Sequence, residues 1–86
     1  MTAEMATAIV KHSLVIAGHR TSISLEDAFW QALRQIAEGD GLKIADLVTR
    51  IDAARGGANL SSAIRVHVLR AALAKIESDR ALPMRA

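Results

Sequence analysis

The sequence predicts a mainly α-helical chain with one short β-strand, and three observations predict it. Residues 11–24 concentrate the β-branched side chains Val15, Ile16, Thr21 and Ile23, the composition of a strand. Three later stretches repeat apolar residues at three- and four-residue spacing, the period of a helix buried along one side. The breaks between those stretches carry glycines, at Gly39 and Gly41 and again at Gly56 and Gly57. No internal repeat interrupts the order strand, helix, helix, helix.

The strand comes first. From Arg20 to Leu25 polar and apolar residues alternate, so Thr21, Ile23 and Leu25 share one face and Arg20, Ser22 and Ser24 the other. Upstream, Leu14 and Ile16 fall out of phase with them. A bulge at Gly18 puts all four on one face, because glycine accepts backbone angles closed to other residues; a tight turn at Gly18 is the other solution. Residues 1–10, small and rich in Ala and Thr, read as a flexible arm.

The first helix starts near Leu25, with Ser24 as the capping hydroxyl and Glu26 and Asp27 at the positive end of the helix dipole. Its stripe is Leu25, Phe29, Leu33 and Ile36, with Ala28 and Ala32, and Trp30 sits at the edge. These positions suit core packing and packing against a second copy. The stretch 38–41 offers glycines for a left-handed cap. A second helix spans about residues 43–54, with Ile44, Leu47, Val48 and Ile51 on its apolar face. A third runs from Ser62 to about Ser78, its cap drawn from residues 59–62. There Val66, Leu69, Leu73 and Ile76 form a narrow seam fit for another helix. Arg65 projects toward that seam, so it either finds a carboxylate, Asp46 or Asp52, or reaches out to water. Residues 11–80 therefore form one domain, and 81–86, with Pro83, a patternless tail.

Composition bounds the function. A chain of 86 residues makes a marginal domain by itself and usually recruits a disulfide, a metal or a second subunit. It has no cysteine, and His12, His19 and His67 lack ligand spacing, so the expected supplement is oligomerisation and no metal or other cofactor. Ser, His and Asp occur without a nucleophile motif, and the paired glycines lack a phosphate-loop lysine, so no enzyme is expected. The N-terminal stretch has no basic leader and no run is long enough for a membrane span, which leads to a cytoplasmic expectation. A formal charge of +2 and a pI near 9.7 suit a polyanionic partner without requiring one.

A lone strand must satisfy its backbone N–H and C=O groups. With no other strand expected, its simplest partner is the same strand of a second copy, antiparallel about a two-fold axis. Such a ribbon leaves Arg20, Ser22 and Ser24 outside. A two-stranded ribbon fits the major groove of DNA, where arginine and serine bond base edges; a plain solvated strand face is the alternative.

Residues 18–54 resemble the ribbon-helix-helix family of bacterial DNA-binding proteins. The likeness lies in Arg20-Thr21-Ser22-Ile23-Ser24-Leu25, the helix to Glu38, the Asp40-Gly41-Leu42 turn and Lys43-Ile44-Ala45-Asp46-Leu47. Three blocks, Gly18 to Ser22, Leu25 to Trp30 and Asn59 to Arg65, are similar to a subgroup of small bacterial proteins with an added third helix. The resemblance implies an intertwined homodimer whose two-stranded ribbon is shared between subunits. Its core would hold Thr21, Ile23, Leu25, Phe29, Trp30, Leu33, Ile36, Leu47 and Val48. It also implies that Arg20, Ser22 and Ser24 read bases and that the amides near Lys43 and Ile44 clamp a phosphate. Lys43 stands where the family has a capping Ser or Thr, and its ammonium can meet the phosphate directly. His19, beside Arg20, is a further phosphate contact.

The expected function is thus a homodimeric transcriptional regulator binding double-stranded DNA. The alternative is a dimerising interaction module such as an antitoxin. Its seam of Val66, Leu69, Leu73 and Ile76 would hold a partner protein or join two dimers into a tetramer.

Overall fold

The computed structural model describes residues 6–81. Residues 1–5 of the expected arm and 82–86 of the expected tail lie outside the described residues. The element order is β1 (Ile9–Ile16), β2 (His19–Glu26), α1 (Asp27–Gly39), α2 (Ile44–Ala54) and α3 (Leu60–Ala81). The expectation of one strand is overturned: the described residues hold two, and they pair with each other as an antiparallel hairpin. The strand's partner therefore lies in the same chain, and β1 starts inside the stretch read as an arm.

The tight turn, not the bulge, resolves the phase break at Gly18. Ala17 and Gly18 both adopt positive φ, 51° and 83°. A two-residue turn of that kind has the twist that brings two strands back together. The register then sets Leu14 opposite Thr21, His12 opposite Ile23 and Val10 opposite Leu25. These pairs lie on the helix side, and Ile16, Ile23 and Leu25 are buried there.

His12 is the polar residue that hides the alternation of β1. It sits on the inward side because its ring lies flat on Trp30, with centroids 3.6 Å apart and planes 7° from parallel. Its Nε2 is buried without a hydrogen-bond partner among the described residues.

Helix α1 begins two residues later than the Ser24 cap predicts. Glu26 holds the N-cap position, with no side-chain capping bond. The hairpin explains the shift. Its ladder runs on past Ser24, and the Asp27 N–H donates to the Ala8 carbonyl at 2.9 Å. Ser24 is therefore held in strand geometry. The end of α1 is as expected: Gly41 takes φ 69°, and the Leu42 N–H reaches the Ala37 carbonyl at 2.8 Å, closing the turn as a left-handed cap does.

Helix α3 starts at Leu60, not Ser62. Asn59 caps it, its Oδ1 accepting from the Ser62 N–H at 3.2 Å. The helix packs on α1, α2 and β2 and drives Ile64 and Val68 into the core. One cluster joins Ile16, Ile23, Leu25, Trp30, Leu33, Leu47, Val48, Ile51, Ile64 and Val68, with Phe29 and Ile36 packed against it. Of the residues expected in a dimer core, Ile23, Leu25, Trp30, Leu33, Leu47 and Val48, with Phe29 and Ile36 against them, pack within the chain, and α3 adds Ile64 and Val68.

Candidate nucleic-acid interface

The face of the hairpin turned away from the helices carries the chemistry. Arg20, Ser22 and Ser24 are all exposed, while Thr21 is half-buried and Ile23 and Leu25 are buried. The strand alternation is as the sequence predicts. The register adds the other half of the face: Lys11 lies opposite Ser24, Ser13 opposite Ser22 and Val15 opposite Arg20. Lys11, Ser13 and Val15 are exposed. Sequence reasoning missed Ser13 because residues 11–24 read as a single strand, and only the pairing of β1 with β2 puts Ser13 opposite Ser22. Its signal was present, as Lys11, Ser13 and Val15 alternate.

One carboxylate, Glu26, stands at the far end of this ribbon. Arg65 holds it, donating from Nε to Oε1 at 2.8 Å and from Nη2 to Oε2 at 3.3 Å. The expected partners of Arg65, Asp46 and Asp52, are therefore replaced by Glu26. Asp52 is engaged by Arg55 at 2.7 Å, three residues along its own helix. Beside the pair, the Ser61 hydroxyl donates to the Ser24 carbonyl at 2.9 Å. The start of α3 thereby fixes the end of β2, and a fork-shaped arginine neutralises the charge that would repel a polyanion.

The Arg65 hydrogen bond holds the Glu26 carboxyl below its ordinary value, with a backbone hydrogen bond and the guanidinium charge acting in the same direction. A carboxylate whose pKa is lowered by folding stabilises the fold above its unfolded pKa. That contribution fades as the pH falls through the folded value. Glu26→Gln therefore lowers the urea midpoint at neutral pH. The two proteins converge as acid takes the pH below the ordinary value of 4.5, which a urea titration at several pH values measures.

Of the expected phosphate contacts, Lys43 and Ile44 lie at the start of α2 and His19 is the first residue of β2. Lys43 is exposed at the N-cap of α2, in extended geometry and with no side-chain cap. Its carbonyl accepts the N–H groups of Asp46 and Leu47. The preceding amides of Ile44 and Ala45 are the ones a helix start leaves without an intrahelical acceptor. His19 shares the inward parity of Thr21, opposite to Arg20. It lines a cleft of about 330 Å³ with Asp52, Arg55 and Asn59 on the polar side and Ile16, Ile23 and Leu60 on the apolar one. Val66, Leu69, Leu73 and Ile76 are exposed along α3.

Among the described residues no group of three His, Asp or Glu side chains is placed to hold a metal, and no helix is long and apolar enough to cross a membrane.

The ribbon-helix-helix domain model matches residues 9–72, from the first residue of β1 into α3. A solved structure of an uncharacterized protein from Bordetella pertussis Tohama I is similar over 98% of this chain and 74% of its own, at 29% identity and a TM-score of 0.76. Among curated proteins, none matches. With the hairpin, the two following helices and the matched span in agreement, the chain belongs to the ribbon-helix-helix domain family.

Proposed function

We propose that this protein is a homodimeric transcriptional regulator that lays the outer face of its hairpin in the major groove of double-stranded DNA. The observation that carries the reading is the composition of that face. Arg20, Ser22 and Ser24 project beside Lys11 and Ser13 from a two-stranded ribbon, and the nearby carboxylate is neutralised by Arg65. The ribbon-helix-helix family is one of DNA-binding regulators, which supports the same reading. Arg20 offers two parallel donors to a guanine edge, and the serine hydroxyls donate or accept as the base requires. Lys11 adds charge against the backbone.

In this reading the free amides and positive dipole end of α2 receive a phosphate, and Lys43 meets its charge. Lys43→Ala then weakens binding alike on all sequences and reduces the slope of log affinity against log salt by about one unit. Fluorescence anisotropy across a salt series measures it. The reading as a whole is tested by selecting duplexes from a random pool at low salt. Enrichment of a shared sequence supports it, and the absence of any duplex binding at low salt overturns it.

A further inference from the structure

Helix α3 is apolar on two opposite sides. Ile64 and Val68 point into the core, whereas Val66, Leu69, Leu73 and Ile76 stand 48–55% exposed on the other side. Spacings of three, four and three residues are those of a helix–helix seam. The four side chains leave roughly 300–400 Å² of apolar surface in one line, the size of the largest apolar patch on a typical monomer, which is often functional. The family match ends at residue 72, so Leu73 and Ile76 lie beyond it.

The charges beside the seam select its occupant. Arg70 and Glu77 lie on one flank, seven residues apart, and both are exposed. Neither is in an ion pair among the described residues. In an antiparallel pair of α3 helices, setting Val66 against Ile76 of the second copy sets Leu69 against Leu73. The same alignment puts Arg70 on the side of Glu77 of the second copy, offset along the axis by about 7 Å, and beside Arg70 of the second copy, offset by about 3 Å with its side chain leaning away. Side chains of a helix lean toward its own N-terminus, so in antiparallel helices Arg70 and Glu77 lean toward each other and close the gap. The two-fold axis repeats the pair. Ile64 and Val68 turn the core side of α3 away from the seam, and Val66 and Arg70 stand at the edge of the cleft between α2 and α3, beside Ile51, Ala54 and Arg55. A parallel pair loses this match, since it places Arg70 across from the flank that carries Arg65 of the second copy.

We propose that α3 is a homodimer interface, docked antiparallel on α3 of a second copy along Val66, Leu69, Leu73 and Ile76, with Arg70 paired to Glu77 across it. This inference does not depend on DNA binding.

The chain has no cysteine, so introduced thiols report the alignment without background. Leu69→Cys and Leu73→Cys proteins, mixed and oxidised under gentle conditions, should cross-link mainly as 69-to-73 hybrids. Dominant 69-to-69 and 73-to-73 products would overturn the antiparallel alignment. In sedimentation of the full chain, Arg70→Glu should weaken the dimer at least several-fold. The double reversal Arg70→Glu with Glu77→Arg should restore it. A monomer at high concentration, or a double variant no better than the single, would overturn the proposal and leave the seam to another protein. Failure of DNA selection with a normal 69-to-73 cross-link would count against the DNA reading alone.

Discussion

Ile64→Ala is expected to cost about 2–5 kcal/mol of folding stability. Ile64 is fully buried, and it comes from the third helix, not from the minimal hairpin and two helices. Removing its side-chain branches beyond Cβ loses their transfer free energy and leaves a cavity bounded by side chains from the other elements, which relax only in part. A domain of this length has a total of about 4–13 kcal/mol to lose, so the variant is expected to be partly unfolded well below the wild-type melting temperature. Val66→Ala, one residue pair along but on the exposed side, should change the stability of the isolated chain by about 0.5 kcal/mol or less. Urea denaturation at fixed protein concentration, followed through the single tryptophan, Trp30, separates the two. A cost for Ile64→Ala below about 1 kcal/mol would mean that α3 rests on the core without closing it.

Arg20→Ala is expected to weaken binding to a selected DNA site by about 1–3 kcal/mol, or about 5- to 150-fold. The same change should relax the base preference at one position of the site. The side chain is exposed and makes no hydrogen bond or ion pair among the described residues, so the fold has no reason to change and the melting temperature serves as the control. Ser22→Ala should cost less, because one neutral hydrogen bond contributes about 0.5–1.5 kcal/mol. Uniform loss on every sequence, with the base preference intact, would reduce Arg20 to a backbone contact.

Much of the fold can be read from residues 20–54, where, the Ser24 cap aside, the side chains follow local rules. Thr21, Ile23 and Leu25 alternate with Arg20, Ser22 and Ser24, and Leu33, Leu47 and Val48 keep helical spacing, so burial follows the pattern. The hairpin was harder to see for two physical reasons. Its turn uses Ala17 in a left-handed conformation, where an asparagine would have announced it. A histidine on the inward side, tolerable only because Trp30 covers its ring, breaks the apolar alternation of β1. Arg65 finds Glu26 across 39 residues of sequence, a contact no periodicity encodes. On the ribbon face, the half from β2 was legible and the half from β1 was not, since membership of a face depends on register.

The two-residue turn at Ala17 and Gly18 also makes pairing of the two strands a first-order event. A strand that must find its mate in another molecule makes folding a second-order reaction, slowed by dilution. Here β2 meets β1 after closing the shortest of loops, an event on the scale of about 1–10 μs for hairpins. The outer face of the ribbon is therefore assembled in a first-order step, before any encounter between copies. In a cell holding few molecules of the protein, each newly made chain carries its ribbon from the moment it folds.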